Sequence, residues 1–122
     1  MNKKNIANIS ELLENIKNIT FFYIKKEYKS ILKNENIKFM EEDRIKFFSN
    51  SLFDKEDELK EYILEELPNV MEENIIDKNT VIDTIDEMID DRDLVINRLV
   101  TEISIYQKKK QEKRENRKKK IA

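Results

Sequence analysis

The sequence predicts an all-α fold: a four- to five-helix bundle with long N- and C-terminal helices as an antiparallel spine and a basic C-terminal extension. Three observations predict it. Isoleucine recurs every seven residues at Ile75, Ile82, Ile89, Ile96 and Ile103, beside a second row, Ile85, Leu99 and Tyr106, and a third, Val81, Met88 and Val95. Rows three and four residues apart share one helical face. The chain has no glycine and one proline, Pro68. Hairpins and tight turns draw on glycine at positive φ, so a hairpin-rich β fold is disfavoured. Finally, 39% of the residues are hydrophobic and 41% charged, a lean core under a heavily solvated surface. At 122 residues, one domain with one core is expected.

The first helix is predicted over roughly Ile9 to Lys33. Asn8 caps it, and Glu11 stands three residues on, as a capping box asks. Apolar positions follow at Leu12, Leu13, Ile16, Ile19, Tyr23, Ile24, Tyr28 and Ile31. Phe21 to Ile24 are apolar around most of the circumference, so this turn is expected to be buried on more than one side or to meet a partner. Lys29 and Lys33 suit the negative end of the helix dipole. Asn34 or Asn36 takes the left-handed conformation at its end in glycine's place.

Residues 34–40 form a connector that Ile37, Phe39 and Met40 pin to the core. Glu41, Glu42 and Asp43 suit a second helix start, with Ile45, Phe48 and Leu52 as its stripe and Asn50 and Ser51 as an interruption. Asp54, with Asp57 three residues later, caps a third helix lined by Leu59, Ile63 and Leu67 and flanked by Tyr62. Pro68 stops or kinks that helix and opens a short one through Ile75.

Asp77-Lys78-Asn79-Thr80 is a turn with several possible caps, and the isoleucine-rich helix follows. A break at Asp90-Asp91-Arg92-Asp93 is one alternative. Continuity is preferred, because Ile82 and Ile89 before that point share one phase with Ile96 and Ile103 after it. Arg92 then stands in the second row, where a charge must be paired or reach water. A three-row stripe is wider than a two-row coiled-coil seam, which favours packing within the chain over a dimer.

The near-neutral net charge of −2 hides strong segregation. Residues 1–40 carry a net +4, residues 41–93 a net −13, and residues 108–122 a net +7. Residues 1–107 are therefore read as a single helical domain and 108–122 as a basic tail, either a helical extension or disordered. Truncation after Tyr106 is expected to change stability by less than about 1 kcal/mol.

With no histidine and no cysteine, structural zinc sites, imidazole bases and thiol nucleophiles are excluded. Without glycine there is no phosphate-cradling loop, and Asp77 opens no calcium loop. No apolar run approaches a membrane span and no apolar signal region follows Lys3-Lys4, so a cytoplasmic or otherwise intracellular location is expected. Isoleucine, asparagine and lysine dominate, as AT-rich codons favour, and small proteins of this kind are common in phages, viruses and plasmids of AT-rich hosts.

The acidic middle reads as a solvated face, although Asp83, Glu87, Asp90 and Asp91 share a side at helical spacing. Glu58-x-x-Glu61 followed by Glu87-x-x-Asp90 resembles the carboxylate pairs of the all-α nucleotide pyrophosphohydrolases. The resemblance covers four residues and implies magnesium held by Glu58, Glu61, Glu87 and Asp90. The same spacing recurs in Asp83-x-x-Asp86 and Asp90-x-x-Asp93.

The leading functional feature is the basic run. Lys108, Lys109, Lys110, Lys113, Arg114, Arg117, Lys118, Lys119 and Lys120 can neutralise phosphates and release counterions. The run has no interleaved aromatics, so base recognition is not expected from it. The sequence is thus read as a non-enzymatic helical interaction or assembly protein, without cofactor or catalytic residue. Its partners are a protein or a second copy through the apolar stripe, and a polyanion through the tail. A nucleic-acid-binding accessory protein with the tail as main site is the alternative, and a magnesium-dependent nucleotide pyrophosphohydrolase the second.

Overall fold

The computed structural model describes residues 2–70 and 77–121, with side chains over 10–70 and 77–116. These residues form five helices: α1 (Asn2–Asn34), α2 (Glu42–Asp54), α3 (Glu56–Val70), α4 (Lys78–Asp90) and α5 (Arg92–Ile121). Each contributes one apolar stripe to a common core. Leu12, Ile16 and Ile24 of α1 are buried with Ile45 and Phe53 of α2, Leu59 and Ile63 of α3, Ile85 and Met88 of α4, and Leu99 of α5. Each such side chain contributes about 1.5–3 kcal/mol through removal from water.

The rows of isoleucine are consumed inside the chain. Ile89, Ile96, Ile103, Ile85, Leu99, Val81, Met88 and Val95 are all buried in this core, while Ile82 is half-buried at its edge. Tyr106, the last member of the second row, is exposed, and the other described members are covered within the chain. Ile75 lies outside the described residues.

The expected continuity through Asp90–Asp93 is corrected. α4 ends at Asp90 and α5 begins at Arg92, with Asp91 between them at φ −95°, ψ 23°. The Asp91 N–H still donates to the Glu87 carbonyl, and the Leu94 N–H donates to that of Asp91. One residue near the bridge region bends the axis without unravelling the rows. Three aspartates in four residues have poor helix propensity, and Asp90 and Asp93 repel at i,i+3. Arg92 is drawn to Asp54 at the end of α2, at 2.7 Å, which satisfies its need for a partner.

The last helix runs in the same sense as the first. Contacts between α1 and α5 ascend together: Glu14 with Arg98 at 3.9 Å, Lys25 with Glu102 at 3.1 Å, Tyr28 with Gln107 at 2.7 Å. The first and last helices do pack together, but in the same sense rather than antiparallel.

Local expectations are revised where tertiary contacts outweigh local signals. α1 begins at Asn2, so Asn8 lies inside it and no capping box starts the helix there. Asn50 and Ser51 do not interrupt α2; their side chains donate to the carbonyls of Lys46 and Phe47, four residues back. Asp54 is the last residue of α2 rather than the cap of α3. α3 passes Pro68 and is helical through Val70, the last described residue before 77. The short helix expected through Ile75 falls outside the described residues. In the Phe21–Ile24 turn, Phe21 and Ile24 are buried, but Phe22 is exposed beneath the Lys26 ammonium, 5.1 Å from the ring centroid. Of the connector's anchors Met40 is buried, whereas Phe39 stands in solvent.

Ser49 is fully buried on α2, and its hydroxyl has no hydrogen-bond partner. An orphaned buried hydroxyl costs about 1–3 kcal/mol, and alanine is the better helix former. Ser49→Ala should therefore raise stability by about 1 kcal/mol, read as a higher midpoint in urea. A lower midpoint would mean that Ser49 has a partner in solution.

Candidate polyanion-binding cleft

The C-terminal turns of α1 place Lys29 beside Lys33 and Tyr28 beside Leu32, each pair four residues apart on one face. The helix then ends in a left-handed residue, Asn36 at φ 52°. The Ile37 N–H donates to the Leu32 carbonyl at 3.0 Å and the Asn36 N–H to that of Lys33 at 3.3 Å, the double closure of a Schellman turn. Asparagine tolerates this conformation where the chain has no glycine to offer.

The turn sends Lys38 and Phe39 across the end of α1 and returns Met40 to the core. Gln107 of α5 holds the chain there. Its Oε1 accepts from the Tyr28 hydroxyl at 2.7 Å and from the Met40 N–H at 2.8 Å, and its Nε2 donates to the Met40 carbonyl at 3.2 Å. Gln107 is 6% exposed. One side chain thus ties α1, the connector and α5 together, with every polar group it meets satisfied.

Above this clip lies a cleft of about 850 Å³. Its cationic lining comes from three segments: Lys29 and Lys33 from α1, Lys38 from the connector, and Lys110 and Arg114 from α5. No carboxylate is among the described residues that line it. Aromatic rings from Phe39 and Tyr106 stand at its walls, with the amide side chains of Asn36 and Gln111 between the charges. Like charges gathered around a concave surface reinforce one another's field, which attracts an anion.

Of the cleft's two phenols, Tyr106 responds to its positive charge and Tyr28 to its burial. The adjacent Lys110 ammonium, with the charges of Lys29 and Lys113, outweighs some desolvation and pulls the Tyr106 phenol below its ordinary value. The same ammonium lies 5.0 Å from the Tyr106 ring centroid. The Tyr28 phenol is pushed up, first by burial and then by Tyr106.

Of the nine cations expected to bind a polyanion, Lys110 and Arg114 line the cleft. Lys108, Lys109 and Lys113 are exposed on α5 outside that lining. The backbone of Arg117, Lys118, Lys119 and Lys120 continues α5, but their side chains fall outside the described residues. Sequence reasoning missed Lys29, Lys33, Lys38, Phe39 and Tyr106 as site residues. The signal available was the positive balance of residues 1–40. Glu58, Glu61, Glu87 and Asp90 are all exposed, and among the described residues no three carboxylates converge on a position that could hold a metal ion. Among the described residues no helix is long and apolar enough to cross a membrane. No protein-family model, curated protein or solved structure matches the chain.

Proposed function

We propose that this protein is a non-enzymatic helical binding protein that holds a polyanion in the cleft between the end of α1, the connector and α5, with the distal basic run of α5 extending the contact. The observation that supports this reading is the meeting of five cations from three segments without an opposing lining carboxylate. The acidic residues of α2 to α4 keep the remaining surface from competing for the same ligand and favour one orientation.

Charge reversal in the cleft separates this reading from binding by the tail alone. Lys33→Glu and Lys110→Glu change exposed side chains and should leave the fold intact. The double variant should lose at least about tenfold in affinity for mixed-sequence DNA or RNA at low salt, and the wild type should weaken steeply as salt rises. Lys108→Glu with Lys109→Glu, outside the lining, should cost less. Equal losses in the two double variants would move the site to the tail as a whole, and binding to none of these polymers would refute the reading.

A further inference from the structure

Resting on the polyanion reading, we infer that the cleft takes single-stranded nucleic acid, with an unpaired base stacked on Phe39 and the flanking phosphates on the lysines around it. Phe39 is 59% exposed, although its neighbour Met40 is buried and Met40's backbone N–H and carbonyl are both held by Gln107. A phenyl ring is thereby presented to water from an anchored segment instead of being folded into the core that begins one residue later. Lys38 precedes it, and Tyr106, 42% exposed, provides a second aromatic surface in the same cleft.

This combination discriminates among polyanions. A duplex keeps its bases stacked inside and offers phosphates, which the cations alone would serve. A polyphosphate has no base at all. An unstacked nucleotide uses both components: its phosphates meet Lys29, Lys33 or Lys110, and its π-face meets an aromatic ring with little regard to base identity. Asn36 and Gln111 supply donors and acceptors for base edges without imposing a sequence. The absence of aromatics within the basic run itself is thus compensated by rings brought from residues 39 and 106.

The test exploits the absence of tryptophan from the chain. Phe39→Trp places a single indole reporter at the stacking position. Labelled oligo-dT and oligo-U, a hairpin duplex and inorganic polyphosphate of matched charge are titrated against wild type, Phe39→Ala and Phe39→Trp, with circular dichroism confirming equal folding. Wild type should prefer a single strand of either sugar over the duplex. Phe39→Ala should lose about tenfold on single strands and little on the duplex or polyphosphate. Phe39→Trp should keep its affinity, and its fluorescence should be quenched by the single strands but not by polyphosphate. If Phe39→Ala binds single strands as wild type does, or the indole is not quenched, base stacking is refuted while the polyanion reading stands. If no polyanion binds at all, both fail.

Discussion

Ile96→Asp is expected to unfold the protein under conditions in which Ile105→Asp leaves it folded. Both residues are on α5 and nine positions apart, yet Ile96 is buried at 3% exposure and Ile105 is 50% exposed. At position 96 a carboxylate would enter the apolar core, and would either ionise without solvation or remain protonated in a site shaped for isoleucine. The cost is about 4–5 kcal/mol or more, set against a total stability of about 5–15 kcal/mol for a domain of this size. Ile89→Asp on α4 should behave the same way, since Ile89 belongs to the same buried row. Ile105→Asp should stay within about 0.5 kcal/mol of wild type. Thermal unfolding by circular dichroism and the mass in solution decide the matter. If Ile96→Asp and Ile89→Asp keep the wild-type transition and mass, the packing of α4 and α5 described above is wrong.

Gln107→Leu should cost about 2–5 kcal/mol although it exchanges a polar side chain for an apolar one of similar size. The substitution leaves the Tyr28 hydroxyl, the Met40 N–H and the Met40 carbonyl without their partner in a buried place. Each such orphan costs about 1–3 kcal/mol unless water reaches it. The same residue corrects an expectation from sequence. Truncation after Tyr106 appeared nearly free because the apolar rows end there, but it removes Gln107 and with it the clip. That truncation should cost about as much as Gln107→Leu, whereas truncation after Gln111, which keeps a further turn, should stay within about 1 kcal/mol. Urea denaturation of the three variants gives the comparison. Equal midpoints for the two truncated chains would show that the clip contributes nothing to stability.

The two expectations also show where a sequence speaks and where it is silent. The buried positions of α4 and α5 were legible because a helical stripe repeats locally, at three- and four-residue spacing, and each repeat reinforces the others. Gln107 was not legible. It is one polar residue next to a run of lysines, and its partners are 79 and 67 positions away. Nothing local distinguishes it from Gln111, four residues on, which faces the cleft and solvent. Phe39 was misread for a related reason. Hydrophobicity predicts burial, and whether Phe39 or Met40 turned inward depended on the Schellman turn at Asn36 and on Gln107.

By itself the sequence determined that this protein is helical, which faces of its helices are apolar, and where its charge is concentrated. These follow from short-range periodicity, from propensity and from the absence of glycine, all of which act within a few residues along the chain. The tertiary structure alone decided that Lys29, Lys33 and Lys38 meet Lys110 and Arg114 around Phe39 and Tyr106. That meeting rests on α5 running beside α1 in the same direction, where Lys25 meets Glu102 and Tyr28 meets Gln107. These contacts join segments 77 and 79 positions apart in the chain, and packing and ion pairs over such separations are encoded by no local pattern.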